Sequence, residues 1–279
     1  MSNEIVVAER SEIAALQEGN DQLDALMYNI QIVGGVSESD IRRVKNPSGG
    51  GLMFEIGKAS GDPDYVRELI GIPLFITARR TLWADKAIGS KERPVCSSNN
   101  LIDGVKRKDD KTGAVSIPQN ILDIAIPGGD EGKCAGCYFN EFDTGIDSNG
   151  KPTAGKRCQE SRVVYFLRVG DVLPVKITVP SGSLGVWNTA IKQVPVRIDQ
   201  AVIKLWLTKE KSKSGIEFAG YKAELVKKLN APTIEALNSY RKMFEKVFDN
   251  ATADRTDDGG ASKGRRKQAD ADVSEDTRF

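Results

Sequence analysis

Four cysteines, Cys96, Cys134, Cys137 and Cys158, are the residues of this 279-residue chain whose type and spacing point most directly to chemistry. Intervals of 37, 2 and 20 residues separate them. Cys134-Ala135-Gly136-Cys137 is a C-x2-C knuckle, a short loop that turns two thiolates toward one ion while backbone N–H groups point at the sulfurs. Cys96 and Cys158 complete a tetrahedral four-thiolate set. All four positions are then filled by protein, so the expected Zn²⁺ is structural. From about Pro94 to Gln159 the chain is crowded with glycine and polar residues and has few core formers. Such a stretch needs an external staple, and metal binding supplies roughly 10–16 kcal/mol in small zinc modules. Two disulfides, or four unrelated thiols, are the alternatives. The opening residues, Met1-Ser2-Asn3-Glu4, show no basic patch followed by an apolar run, so no signal peptide is expected and the metal is favoured over disulfides. A redox C-x-x-C is disfavoured because no βαβ pattern surrounds it.

Other chemistry is largely excluded. The chain has no histidine, which removes Ser-His-Asp triads, Cys-His nucleophiles and His-Glu-x-x-His zinc proteases. Gly128-Gly129-Asp130-Glu131-Gly132-Lys133-Cys134 has the wrong glycine spacing for a phosphate loop, and Cys134 stands where the Mg-binding Ser or Thr belongs. Asp143-Thr144-Gly145 has the form of an aspartic-protease motif but lacks a second copy. Gly145 to Lys156 fails as an EF-hand at its first and last positions. No pair of carboxylates stands out as acid and base, so no enzyme activity is expected.

Binding is the remaining class. Lys and Arg number 40 against 39 Asp and Glu, so bulk charge selects no partner and placement must decide. Between Lys204 and Lys228 seven lysines, among them Lys204, Lys209 and Lys211, outnumber three glutamates, with Trp206 and Tyr221 interleaved. Arg79 and Arg80 lie just before Trp83, and Tyr138, Phe139 and Phe142 follow the cysteine knuckle. Single-stranded nucleic acid needs flat rings for its bases and cations for its phosphates, and each base–ring stack contributes about 1–3 kcal/mol. Core packing is the competing reading for each aromatic taken alone.

These groups must be positioned by a mainly β framework. Leu69 to Trp83, Val163 to Val169, Leu173 to Val179, Val194 to Leu207 and Ile216 to Leu229 read as strands. Ser11 can cap a helix over about 12–28, and Asn46 to Gly51 reads as a loop. Thr233 can open a last helix, whose Ile234, Leu237, Tyr240, Met243, Phe244, Val247 and Phe248 recur with helical period. Strands between turns, with helices near both ends, suggest an antiparallel barrel or sandwich. No run of about 18 apolar residues exists to span a bilayer.

The last 29 residues differ in composition. From Ala251 to Phe279 only Val273 and Phe279 are large and apolar, too few to offset ordering entropy, so this tail is expected to be disordered. Lys263, Arg265, Arg266 and Lys267 come first. Asp270, Asp272, Glu275 and Asp276 then precede a terminal Phe279. A solvated tail is one reading. The other is a tether that plugs Phe279 into a partner's pocket while the acids face a basic rim.

Pro94-Val95-Cys96-Ser97-Ser98, Gly132-x-Cys134-x-x-Cys137 and Gly155-Lys156-Arg157-Cys158 together resemble the zinc-containing single-stranded-DNA-binding proteins of phages and mobile elements. Val163 to Leu167, Leu173-Pro174-Val175 and Pro180-Ser181-Gly182-Ser183-Leu184 also fit, so the resemblance spans about residues 65–230. It implies residues 1–250 as one OB-like antiparallel barrel with flanking helices and a zinc-ribbon-like insertion at 94–160. Residues 251–279 become an acidic tail that recruits replication or recombination proteins. It further implies that the protein coats single-stranded DNA in the cytoplasm, that of the host if phage-encoded. The alternative is a zinc-ribbon module that binds proteins, a transcription regulator or replisome scaffold, without DNA affinity of its own.

Overall fold

A computed structural model describes residues 27–32, 34–47, 51–58, 62–83, 94, 96–106, 131–146, 151–211, 215, 217–245 and 247–248. The framework is a mixed sheet built around one long strand. β4 (Glu68–Leu82) has neighbours on both of its edges and is buried along much of both faces beneath the two apolar layers. One edge pairs antiparallel with β10 (Gln159–Arg168) over ten registered positions. The other edge is divided. Its first residues, Glu68 to Gly71, meet β12 (Ala201–Lys211), and its last residues, Arg80 to Leu82, meet β5 (Cys96–Ser98). From β10 the sheet continues through β11 (Val175–Val179) to β1 (Arg42–Lys45), β2 (Phe54–Ile56) and β3 (Asp64–Val66). The β1–β11 pair is parallel, which makes the sheet mixed. Past β5 lie β6 (Asp103–Lys106) and β7 (Glu131–Lys133). Among the described residues β13 (Glu217–Lys228) pairs with β12 alone, and β8 (Gly145–Ile146) with β9 (Pro152–Thr153) forms a separate small ribbon.

β3 and β7 end the path without meeting, so the expected closed barrel is corrected to an open, branched sheet. The tail and most of the expected helix at 12–28 lie outside the described residues; helix appears at 27–32.

Two apolar layers hold the sheet, one on each face. On the first, Val164, Phe166, Val175 and Ile177 pack with Ala201, Ile203 and Leu205 of β12, with Tyr221 of β13 and with Trp187 of a helix at Leu184–Lys192. On the second, Val163, Tyr165 and Leu167 pack against Leu237, Tyr240 and Phe244, which belong to or directly follow the helix Ala231–Met243. Phe248 stacks on Phe75 at 4.9 Å between ring centroids. The alternation along β10 follows from the period of two in an extended chain. The final helix starts earlier than the Thr233 expectation. Asn230 is its cap, with its side-chain oxygen accepting the Thr233 N–H at 2.9 Å, and Pro232 occupies the first turn, where its missing N–H costs nothing.

The β4–β10 contact is close at Gly71. A Cβ there would collide with the Leu167 carbonyl oxygen, a backbone atom that cannot turn aside. Gly71→Ala is therefore expected to lower stability by about 1–3 kcal/mol or more, read as a fall in the urea midpoint with little change in slope.

Candidate thiol centre and adjoining clefts

All four cysteines line one small cavity of about 20 Å³, together with Leu82, Phe139 and Gly104. None is in a disulfide. Cys96 opens β5 beside Leu82, and Cys158 immediately precedes β10. The knuckle is tied to both sides: the Cys134 N–H donates to the Ile102 carbonyl at 2.8 Å, and the Cys158 N–H donates to the Phe139 carbonyl at 2.9 Å. Gly104 makes room for the cluster, since a Cβ there would lie 2.9 Å from the Cys96 Sγ.

Electrostatics show how close the thiols are. Burial pushes the Cys96 thiol up to about 11 and Cys158 up to about 12, and in each case neighbouring cysteines add to the rise. Lys106 opposes the shift at Cys96 and Arg80 opposes it at Cys158. Cys96 and Cys158 therefore resist becoming thiolates without a compensating cation. A divalent ion reverses that balance and holds ligating thiols deprotonated. The cavity exceeds the ~10–15 Å³ that one water-sized probe needs, and four sulfurs are the donor set Zn²⁺ takes in structural sites. By donor type these residues suit the ion, although among the described residues no group of three or more His, Cys, Asp or Glu side chains stands in a geometry that could hold one.

A pH effect follows for the metal-free chain. Unfolded thiols ionise near their ordinary value of 9.0, whereas the folded ones resist ionisation up to about 11 and 12. The unfolded chain then gives up protons first, so this contribution to stability is complete below pH 9 and is lost as pH rises toward the folded values. Chelator-treated protein is expected to show a denaturation midpoint that falls as pH rises from about 9 toward about 11, and zinc-reconstituted protein a flatter one.

Beside the thiol cavity lies a cleft of about 530 Å³. Trp83, Phe142, Lys156, Arg157, Ser181 and Leu184 are among its walls, and Cys158 lines both this cleft and the thiol cavity. The Lys156 ammonium stands 4.8 Å from the centre of the Phe142 ring, which is 69% exposed. Glu160 is the acid in the wall. Its burial works against ionisation, but Arg162 at 2.7 Å and Arg80 at 3.2 Å hold its carboxyl below the ordinary range. The cleft therefore offers an exposed ring, a half-buried Trp83 and two cations, with its one acid already neutralised.

The other expected binding residues are scattered. Arg79 and Arg80 point to opposite faces of β4. Arg79 is buried at 4% exposure, while Arg80 bonds the Leu101 carbonyl and Glu160. Phe139 is buried at 1% against the thiol cavity, and Tyr138 is exposed. Neither Arg79 nor Phe139 reaches a bound strand from these positions. On the β12–β13 hairpin the lysines meet the glutamates across the strands: Lys204 with Glu224 at 3.3 Å, Lys209 with Glu217 at 2.8 Å, Lys211 with Glu217 at 3.8 Å and Lys222 with Glu210 at 3.3 Å. The Lys204 ammonium also lies 5.3 Å from the centre of the half-buried Trp206 ring. The hairpin is thus an internally paired surface rather than a free basic stripe. Lys156 and Arg157 join the expected Trp83 and Phe142 in the cleft instead. Their signal in the sequence is position: Phe142 follows the knuckle, and Lys156-Arg157 directly precede Cys158. Asp270, Asp272, Glu275, Asp276 and Phe279 lie outside the described residues.

Comparisons with protein-family models, with curated proteins and with solved structures find no match. Among the described residues no helix is long and apolar enough to cross a membrane.

Proposed function

We propose that this chain is a non-catalytic single-stranded-DNA-binding protein of OB-like character, with a structural Zn²⁺ held by Cys96, Cys134, Cys137 and Cys158. The observation that carries the reading is the cleft in which Trp83 and Phe142 stand with Lys156 and Arg157. Rings supply stacking surfaces that tolerate any base, and cations follow the phosphates. The metal gives this cleft its rigid wall, because Cys158 belongs to both cavities and Lys156-Arg157 precede it in the chain. In this reading the protein coats single strands in the cytoplasm during replication or recombination. The segment 251–279 recruits partner enzymes through Asp270, Asp272, Glu275, Asp276 and Phe279. Gel shifts with single-stranded and duplex oligonucleotides at two salt concentrations test it. Tighter single-strand binding that weakens with salt supports it, and preference for duplex, or a salt-independent shift, removes it.

A second reading has its own observation. Ile102, Val105 and Tyr138, all around the thiol centre, are 62%, 58% and 49% exposed. Apolar side chains displayed on a metal-stapled module suit a protein partner, and this alternative predicts no shift with either oligonucleotide.

A further inference from the structure

The sheet carries a second cavity, of about 450 Å³, on the side that Val163 and Tyr165 present to the final helix. Along β10, Ser161 continues the alternation of Val163 and Tyr165. Its cross-strand partner on β4 is Arg79, and Thr178 of β11 pairs with Val163. Lys176, opposite Tyr165, and Arg43, opposite Lys176, carry the same face across β11 and β1. The face is therefore apolar beneath the helix and turns to hydroxyls and cations beyond it. A sheet face built only for packing stays apolar.

Two buried polar groups there are poised for an anion. Ser161 is 8% exposed, lines the cavity, and its hydroxyl has no protein partner. Lys176 is 5% exposed, and its ammonium gives one of its three donors to Glu38 at 2.8 Å. Buried polar atoms in folded proteins are ordinarily satisfied, so unpaired ones facing a cavity mark where another molecule's oxygen belongs. The two cavities are also continuous, since Trp83, Gln159, Glu160 and Ser181 line both.

We infer that this trough is a second phosphodiester-binding segment of the same single-strand site. The strand stacks a base on Trp83, turns around the end of the sheet, and seats a phosphate at Ser161 and Lys176. The inference rests on the single-strand reading above, because an isolated phosphate pocket would need no continuity with the Trp83 cleft.

The test is fluorescence anisotropy with end-labelled oligodeoxythymidylates of about 4, 6, 8 and 12 nucleotides, the span that single binding modules cover. The proteins are the full chain, Ser161→Val and Lys45→Glu, with thermal melts of each. Lys45 lines the trough with a side chain that is 63% exposed and paired with Glu55 at 2.7 Å; an exposed ion pair contributes little to folding, so this variant keeps the test open even if Ser161→Val does not fold. Both variants are expected to match the parent on the shortest oligonucleotide. On the longest they should bind at least about fivefold more weakly, with the logarithmic salt slope reduced by about 0.7 for each phosphate that is no longer held. Equal behaviour of parent and variants at every length overturns the inference. So does uniform weakening at all lengths, or a changed affinity for free thymidine monophosphate with the length dependence intact. A parent chain that binds no oligonucleotide overturns the single-strand reading itself, and the trough with it.

Discussion

The purified chain is expected to carry one Zn²⁺, and Cys134→Ser or Cys158→Ser to remove it. Each substitution leaves three thiols around a cavity of about 20 Å³, and a hydroxyl is a poor ligand for zinc beside thiolates. Apparent binding energies in zinc modules run to roughly 10–16 kcal/mol, and that energy is linked to folding. The segment between β5 and β10 has little else to hold it. Among the described residues its strands β5, β6 and β7 span three, four and three residues. The variants are therefore expected to lose the metal by elemental analysis, to show all their remaining thiols to a thiol reagent at once, and to become protease-sensitive within 96–158. The β4–β10–β12 centre should keep its protection against hydrogen exchange, because its two apolar layers do not depend on the thiols. A chain free of zinc that retains an ordered 96–158 segment, or one with Cys134 joined to Cys137, sinks the metal assignment.

What the sequence reveals, and what it conceals, follows the way each element is held. Leu69 to Trp83 is legible as a strand because the first part of β4 is buried on both faces, which demands the near-continuous apolar run Leu69 to Ile76. The final helix is legible from its stripe, although its cap at Asn230 is fixed by one side-chain hydrogen bond that periodicity does not encode. The helix at Leu184–Lys192 escapes a reading by pattern: nine residues that include Gly185 and β-branched Val186, Thr189 and Ile191 carry weak helical propensity. Packing of Trp187 against Tyr221, edge to face at 5.5 Å, stabilises it instead. β1 is hidden for a more informative reason. Arg42-Arg43-Val44-Lys45 reads as a polar stretch, but only Val44 faces the packed layer, and Arg43 and Lys45 line the trough. The open sheet is equally hidden, since strand order is a long-range property. The cysteines are legible as a set by type alone. The binding residues are not, because the lysine-rich hairpin hides its cross-strand glutamates, whereas the cleft draws on the knuckle flank, on the residues before Cys158 and on the end of β4.

Trp83→Ala and Lys156→Ala are expected to weaken single-strand binding in two distinguishable ways. Trp83 sits where the two cavities join, so a base stacked on it is held whatever its identity. Removing one stack costs about 1–3 kcal/mol, which is roughly 5- to 150-fold in Kd. The number of neutralised phosphates is unchanged, so the plot of log affinity against log salt keeps its slope. Lys156 lies over Phe142 and is hydrogen-bonded to the Asn140 side chain at 3.4 Å, so its ammonium is already placed at the cleft wall. Its removal leaves one phosphate without a cation and lowers the slope by about 0.7, with a penalty that shrinks as salt rises. Of the three tryptophans, Trp187 is buried at 3% exposure and Trp206 stands on the hairpin away from the cleft, so quenching of tryptophan emission by bound DNA is expected to come mainly from Trp83, and Trp83→Phe should keep most of the affinity while losing most of the quench. Lys209→Ala serves as the contrast, because its ammonium is already engaged by Glu217 at 2.8 Å across the hairpin. Isotherms at four salt concentrations check all four variants together. A Lys209 effect larger than that of Lys156 would move the strand to the hairpin, and an unchanged Kd for Trp83→Ala would take the ring out of the site.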